Sequence, residues 1–91
     1  MPFELQLPLS LKRARWKIKI QEKEIREPPH VSILRGTQKW RIDLRTAEFM
    51  DRTPRPVDVP KELLRVVEKN WDRICREWDK KYPANPVGSE E

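Results

Sequence analysis

The chain contains one cysteine, one histidine and two glycines in 91 residues. A lone cysteine excludes an internal disulfide. With a single histidine beside it, no structural zinc site can close within the chain, and no metal or cofactor is expected. No stretch of about 18 uncharged apolar residues occurs, which removes a transmembrane helix from consideration. A basic segment followed by an apolar one is missing at the N-terminus, where Glu4 interrupts the only candidate, so no secretory signal is expected. These absences point to a small soluble protein of a reducing compartment, the cytoplasm, without membrane association. Hydrophobic residues make up 36% and charged residues 38%, enough apolar material for one thin core and one domain. Four tryptophans enlarge that core, since each can bury a large apolar area.

Charge is segregated. Residues 1–29 hold seven Lys/Arg against four acids, residues 30–56 six against three, and residues 57–91 seven against eight. The net charge of +5 therefore lies wholly in the first 56 residues. Such segregation suggests an anionic partner, nucleic acid or an acidic protein, although a basic surface also serves solubility alone.

Hydrophobic periodicity divides the chain into a β-rich part and a helical part. Phe3, Leu5, Leu7, Leu9 and Leu11 alternate with Glu4, Gln6, Pro8 and Ser10, which predicts an extended edge strand or arm over residues 1–12. Trp16, Ile18 and Ile20 alternate with Arg15, Lys17 and Lys19 as a second strand. The charged stretch Gln21 to Glu27 reads as a loop or frayed strand end, and Pro28-Pro29 fixes an extended entry to the next strand. Val31 and Ile33 lead into a hairpin turn at Arg35-Gly36-Thr37-Gln38, and Trp40, Ile42 and Leu44 form the return strand. Glu48-Phe49-Met50 reads as a brief further strand, followed by a proline-containing loop from Asp51 to Asp58. From Val59 the period becomes helical. Leu63, Leu64, Val67, Trp71, Ile74, Cys75, Trp78 and Tyr82 fall on one stripe, with Asp58 as a candidate cap and Pro83 as the stop. The expectation is one continuous helix of roughly 34 Å. Cys75 reads as a small buried hydrophobe. Residues 83–91 read as a disordered tail.

The predicted fold is thus α+β: an antiparallel sheet of four to five strands with one long C-terminal helix packed on one face, the domain spanning residues 13–82. If the tryptophans and isoleucines face the helix, alternation turns Arg15, Lys17, Lys19, Lys39, Arg41, Asp43 and Arg45 to the other face. Six of these seven are basic, so the uncovered face becomes a flat positive patch able to hold phosphates without reading sequence. No aromatic side chain is interleaved among them, which favours contact with a backbone or a duplex over base stacking.

A two-residue turn at Gly36-Thr37 sets the hairpin register. It pairs Arg35 with Gln38, Ile33 with Trp40, Val31 with Ile42 and His30 with Asp43. A histidine facing a carboxylate beside Arg41 and Arg45 is the minimum for acid/base chemistry on a phosphodiester. The same pair read structurally is a cross-strand contact in which Asp43 satisfies the imidazole.

The Pro28-Pro29-His30-Val31 segment, the strand Trp40-Arg41-Ile42-Asp43-Leu44 and the helix with Trp78 near its end resemble the small bacterial domain of unknown function 4160 over roughly residues 15–82. That family is marked by a Pro-Pro-His-Val-His-Val segment. Its members are similar to small basic proteins encoded beside another short protein, in pairs that look like toxin–antitoxin modules. The resemblance implies a two-protein bacterial system and no established activity. The family's second histidine falls on Ser32 here, so the metal-binding potential of a His-x-His pair is not carried over.

The N-terminal arm lies outside the resemblance. It completes the chain's own sheet, or it pairs with a cognate partner or a second copy through residues 3–11. Three functions remain from the sequence: a binding module contacting an anionic partner through the sheet face, a small ribonuclease-like toxin using His30, Asp43 and Arg41, or a structural domain without an anionic ligand.

Overall fold

The structure, a computed structural model, describes residues 3–20, 28–84 and 86–87. The stretch 21–27, expected as a loop or frayed strand end, lies outside the described residues. The fold is α+β. Its elements run β1 (Phe3–Glu4), α1 (Leu9–Arg13), β2 (Trp16–Ile20), β3 (His30–Arg35), β4 (Gln38–Asp43), a 3-10 turn at Pro56–Asp58, α2 (Lys61–Lys69) and α3 (Trp71–Lys81). The body of the antiparallel sheet is β2, β3 and β4, and the two-residue β1 extends it beyond β2.

Sheet register follows the alternation of the sequence. β3 and β4 pair as predicted, with Arg35 opposite Gln38, Ile33 opposite Trp40, Val31 opposite Ile42 and His30 opposite Asp43. The turn between them needs a left-handed residue at its first position, and Gly36 supplies φ of +60° there. On the other side of β3, Ile18 faces Ile33 and Trp16 faces Arg35. Opposed residues share a face, so Trp16, Ile18, Val31, Ile33, Trp40 and Ile42 line one side, and all are buried. They form one cluster with Leu63, Val67, Ile74 and Trp78 of the two helices. Within it the Trp16 and Trp40 rings lie tilted at 5.3 Å between centroids. Trp40 Nε1 donates to the Arg55 carbonyl at 2.9 Å, which fastens the proline-containing loop to the sheet.

The N-terminal segment departs from the expected strand. Only Phe3–Glu4 is strand, and Leu9–Arg13 is a short helix entered at Pro8. Alternating burial persists through Leu5 and Leu7, and the Leu5 amide donates to the Ile18 carbonyl at 2.9 Å. Beyond Pro8 the helical turn buries Leu11 and leaves Leu9 61% exposed. The arm therefore pairs and packs within its own chain.

The expected single helix is two, interrupted at Asn70. This residue has φ −107° and ψ 16°, and its side-chain amide donates to the Val66 carbonyl at 2.8 Å. The Val66 carbonyl also accepts the Asn70 backbone amide at 3.2 Å and the Ile74 amide still donates to the Asn70 carbonyl at 2.9 Å, so the interruption is a local distortion of one residue and the hydrogen-bond ladder continues through it. Asp58 does not cap α2, whose N-cap is Pro60 without a side-chain hydrogen bond. Cys75 is half-buried rather than buried. The expected strand at 48–50 is a single bridge, Phe49 to Ile42, supported by hydrogen bonds from Asp43 N to Glu48 O and from Met50 N to Arg41 O, each 2.8 Å. Pro86 and Val87, expected in a disordered tail, are tied down: Arg45 donates to both their carbonyls, and the Val87 amide donates to Asp79 Oδ1 at 2.8 Å.

Candidate anion-binding surface

Strand register decides which cations share a face. Lys17 lies opposite Leu34, and Leu34 opposite Lys39; Lys19 lies opposite Ser32, and Ser32 opposite Arg41. These four cations sit on β2 and β4, flanking β3 on the side away from Ile18, Ile33 and Trp40. With strands about 4.8 Å apart, each cation pair spans roughly 10 Å between backbones. The cations share one side as alternation predicts, but the expected uncovered patch is not what the structure shows: between them on that face Ser32 and His30 of β3 are fully buried and Leu34 is half-buried.

Arg15 and Arg45, the other two cations assigned to this face, lie elsewhere. Arg15 takes φ of +70° in the turn that ends α1, the left-handed position common after a helix C-terminus. Arg45 follows β4 and reaches the tail, Nε to the Val87 carbonyl at 3.1 Å and Nη2 to the Pro86 carbonyl at 2.8 Å.

Acidic groups offset part of the face. Glu4, opposite Lys19 on β1, approaches its ammonium at 3.7 Å. Arg41 forms a bidentate pair with Asp51, Nε to Oδ2 at 2.9 Å and Nη2 to Oδ1 at 2.8 Å. Of the four facing cations Lys17 alone is exposed; Lys19, Lys39 and Arg41 are half-buried. The exposed cations at the hairpin end are Lys17 on this face, Arg35 on the opposite face across from Trp16, and Arg15 in the turn after α1. Sequence reading missed Arg35, Glu4 and Asp51. The β2–β3 register places Arg35 opposite Trp16, but the Arg41–Asp51 pair crosses a loop that carries no periodic signal.

The Arg41 hydrogen bond holds the Asp51 carboxyl below its ordinary value of 3.8. Partial burial opposes this shift, and the charges of Arg41, Lys39 and His30 add to it. A depressed carboxylate contributes stability above the unfolded-state value and loses it as pH falls through the folded-state value. Asp51→Asn is therefore expected to destabilise the protein at pH 7 by about 1 kcal/mol, near the upper end for a partly exposed pair. Urea denaturation at several pH values checks this: the gap between parent and variant should close below pH 3.8.

His30 and Asp43 face each other in register, yet their side chains serve different neighbours. The Asp43 Oδ1 accepts the Arg45 amide at 2.7 Å and the Thr46 amide at 3.0 Å, closing the turn after β4. His30 is fully buried, with Nδ1 2.8 Å from the Pro28 carbonyl and its ring 5.5 Å from Trp78. A carbonyl oxygen only accepts, so Nδ1 carries the proton in that contact. This geometry uses the histidine as a packed, hydrogen-bonded core group and Asp43 as a turn cap. Ser32, also fully buried, has no hydrogen-bond partner for its hydroxyl among the described residues.

No protein-family model matches the chain, and no curated protein and no solved structure matches it. Among the described residues, no group of three or more His, Cys, Asp or Glu side chains is placed to hold a metal, and no helix is long and apolar enough to cross a membrane. Burial pushes the Cys75 thiol up, and the Asp79 and Asp72 charges push it further, which disfavours the thiolate needed for nucleophilic chemistry.

Proposed function

We propose that the protein is a basic binding module that contacts the phosphate backbone of a nucleic acid through the sheet face at its hairpin end. The carrying observation is the register: Lys17 and Lys39, and Lys19 and Arg41, lie as two cross-strand pairs on one face. Glu4 and Asp51 offset the second pair, and the Asp51 charge also acts on Lys39, so contact is weighted toward the exposed Lys17. Trp16, Trp40 and Trp78 are buried and unable to stack bases, which supports contact with phosphates over base readout. The resemblance to the domain of unknown function 4160 supports placing such a module in a two-protein bacterial system of the toxin–antitoxin kind, acting in the cytoplasm. The ribonuclease reading is not pursued, because His30 is fully buried and Asp43 caps a turn.

Duplex binding measured across a salt series tests the proposal. Affinity should fall linearly in a log–log plot, and Lys17→Glu should reduce the slope by about 0.9, the contribution of one released counterion contact. Lys39→Glu should act in the same direction. An acidic polypeptide binding as tightly as the duplex at equal salt would instead assign the face to a protein partner.

A further inference from the structure

The hairpin end holds a second arrangement of cations that the sheet-face reading does not use. Ala14, Arg15, Arg35, Gly36, Thr37 and Gln38 line one recess between the turn after α1 and the β3–β4 turn. Both arginines are exposed, and no carboxylate is among the lining residues. This contrasts with Lys19 and Arg41, whose charges face Glu4 and Asp51.

Arg35 is held in place from two sides. Its Nε donates to the Ala14 carbonyl at 3.2 Å, and its guanidinium lies 5.2 Å from the centroid of the Trp16 ring. Trp16 is itself 5% exposed and packed against Trp40, so the platform beneath the guanidinium is rigid. A guanidinium has five N–H donors in a planar fork, and the Ala14 contact takes only the one on Nε. Among the described residues, this leaves the two Nη groups to act as a bidentate donor. Arg15 enters from the neighbouring turn, where its left-handed backbone follows from ending α1. Thr37 and Gln38, which also line the recess, carry neutral donor groups.

We infer that this recess is an oxyanion site that seats one phosphate group between Arg15 and Arg35. The chemistry is that of a tetrahedral dianion or a phosphodiester: two guanidinium groups from adjacent turns, one of them already oriented, with hydroxyl and amide donors beside them. Because the Ala14 hydrogen bond and the Trp16 ring already orient the Arg35 guanidinium, binding loses less side-chain entropy than it would at a free arginine. The inference deepens the backbone-contact reading and rests on it for the source of the phosphate, a nucleic-acid backbone rather than a free anion.

Titration of 15N-labelled full-length protein with inorganic phosphate, at constant ionic strength set with chloride, tests the site. The expected result is saturable shifts confined to the Gly36 and Thr37 amides and the Arg15 and Arg35 Nε–H signals. Arg15→Gln should weaken this binding roughly tenfold, the loss of one charge-assisted contact. Arg35→Lys keeps the charge but loses the fork and the planar stack, and should weaken it comparably. That outcome separates a built site from general electrostatic attraction. Shifts that grow linearly without saturating, or an Arg35→Lys variant that binds phosphate as tightly as the parent, would overturn the inference. A parallel titration with a short duplex keeps the two readings apart. Saturable phosphate shifts without duplex binding would leave the recess standing and remove the nucleic-acid source. Salt-sensitive duplex binding without saturable phosphate shifts would remove the recess and leave the sheet face.

Discussion

Trp78→Ala is expected to lower the unfolding free energy by about 3–5 kcal/mol, a large part of the stability available to a small domain. Trp78 is fully buried near the end of α3. Its ring lies 4.4 Å from the Tyr82 ring and 5.5 Å from His30, so it joins the last turn of the helix to the first residue of β3. Truncation removes the transfer energy of an indole and leaves a cavity that the surrounding strands cannot collapse into freely. The stripe Leu63, Val67, Ile74, Trp78 loses its largest member, and α3 loses its ring contact with His30 of β3. Trp78→Phe keeps a ring between His30 and Tyr82 and should cost clearly less. Urea denaturation followed by far-UV circular dichroism measures both. A loss below about 1 kcal/mol for the alanine variant, the level of a surface change, would show that α3 does not depend on this anchor.

Which parts of this fold were legible in the sequence follows from what periodicity can and cannot encode. The β3–β4 register was legible because Ile33 and Trp40, and Val31 and Ile42, must share a buried face, and a slip by one residue would turn every one of them outward. The common face of Lys17, Lys19, Lys39 and Arg41 follows from the same rule. The break at Asn70 was not legible, because Leu63, Val67, Ile74, Trp78 and Tyr82 keep helical spacing straight through it. The stripe reports which side is buried and says nothing of a distortion confined to the backbone of one residue. At the N-terminus, alternation was right about Leu5 and Leu7 but continued past Pro8, where Leu9 and Leu11 belong to a helix and only Leu11 is buried. The weakening of the positive face was hidden for a different reason. Glu4 reaches Lys19 from another strand, and Asp51 reaches Arg41 across a turn, so both partners are set by tertiary placement.

His30→Ala is expected to cost about 2–4 kcal/mol while leaving duplex affinity per folded molecule unchanged. The imidazole is inaccessible to solvent, so it makes no contact with a ligand on the sheet face. Its replacement opens a void against Trp78 and strips the Pro28 carbonyl of the Nδ1 donor at 2.8 Å. His30→Asn separates these two effects. The asparagine amide nitrogen stands about where Nδ1 stood and can restore the bond to Pro28, but it cannot fill the space beside the indole. The expected order of stability is therefore parent, then His30→Asn, then His30→Ala, read from urea midpoints at constant slope. Duplex binding, measured under conditions where each variant is folded, should be the same for all three. A histidine working on a phosphodiester would give the opposite pattern, with stability preserved in the alanine variant and an RNA-directed activity lost. The distinction is sharp because burial and catalysis place incompatible demands on one ring: packed against Trp78 it holds β3 to α3, and only an exposed imidazole could exchange protons with a bound backbone.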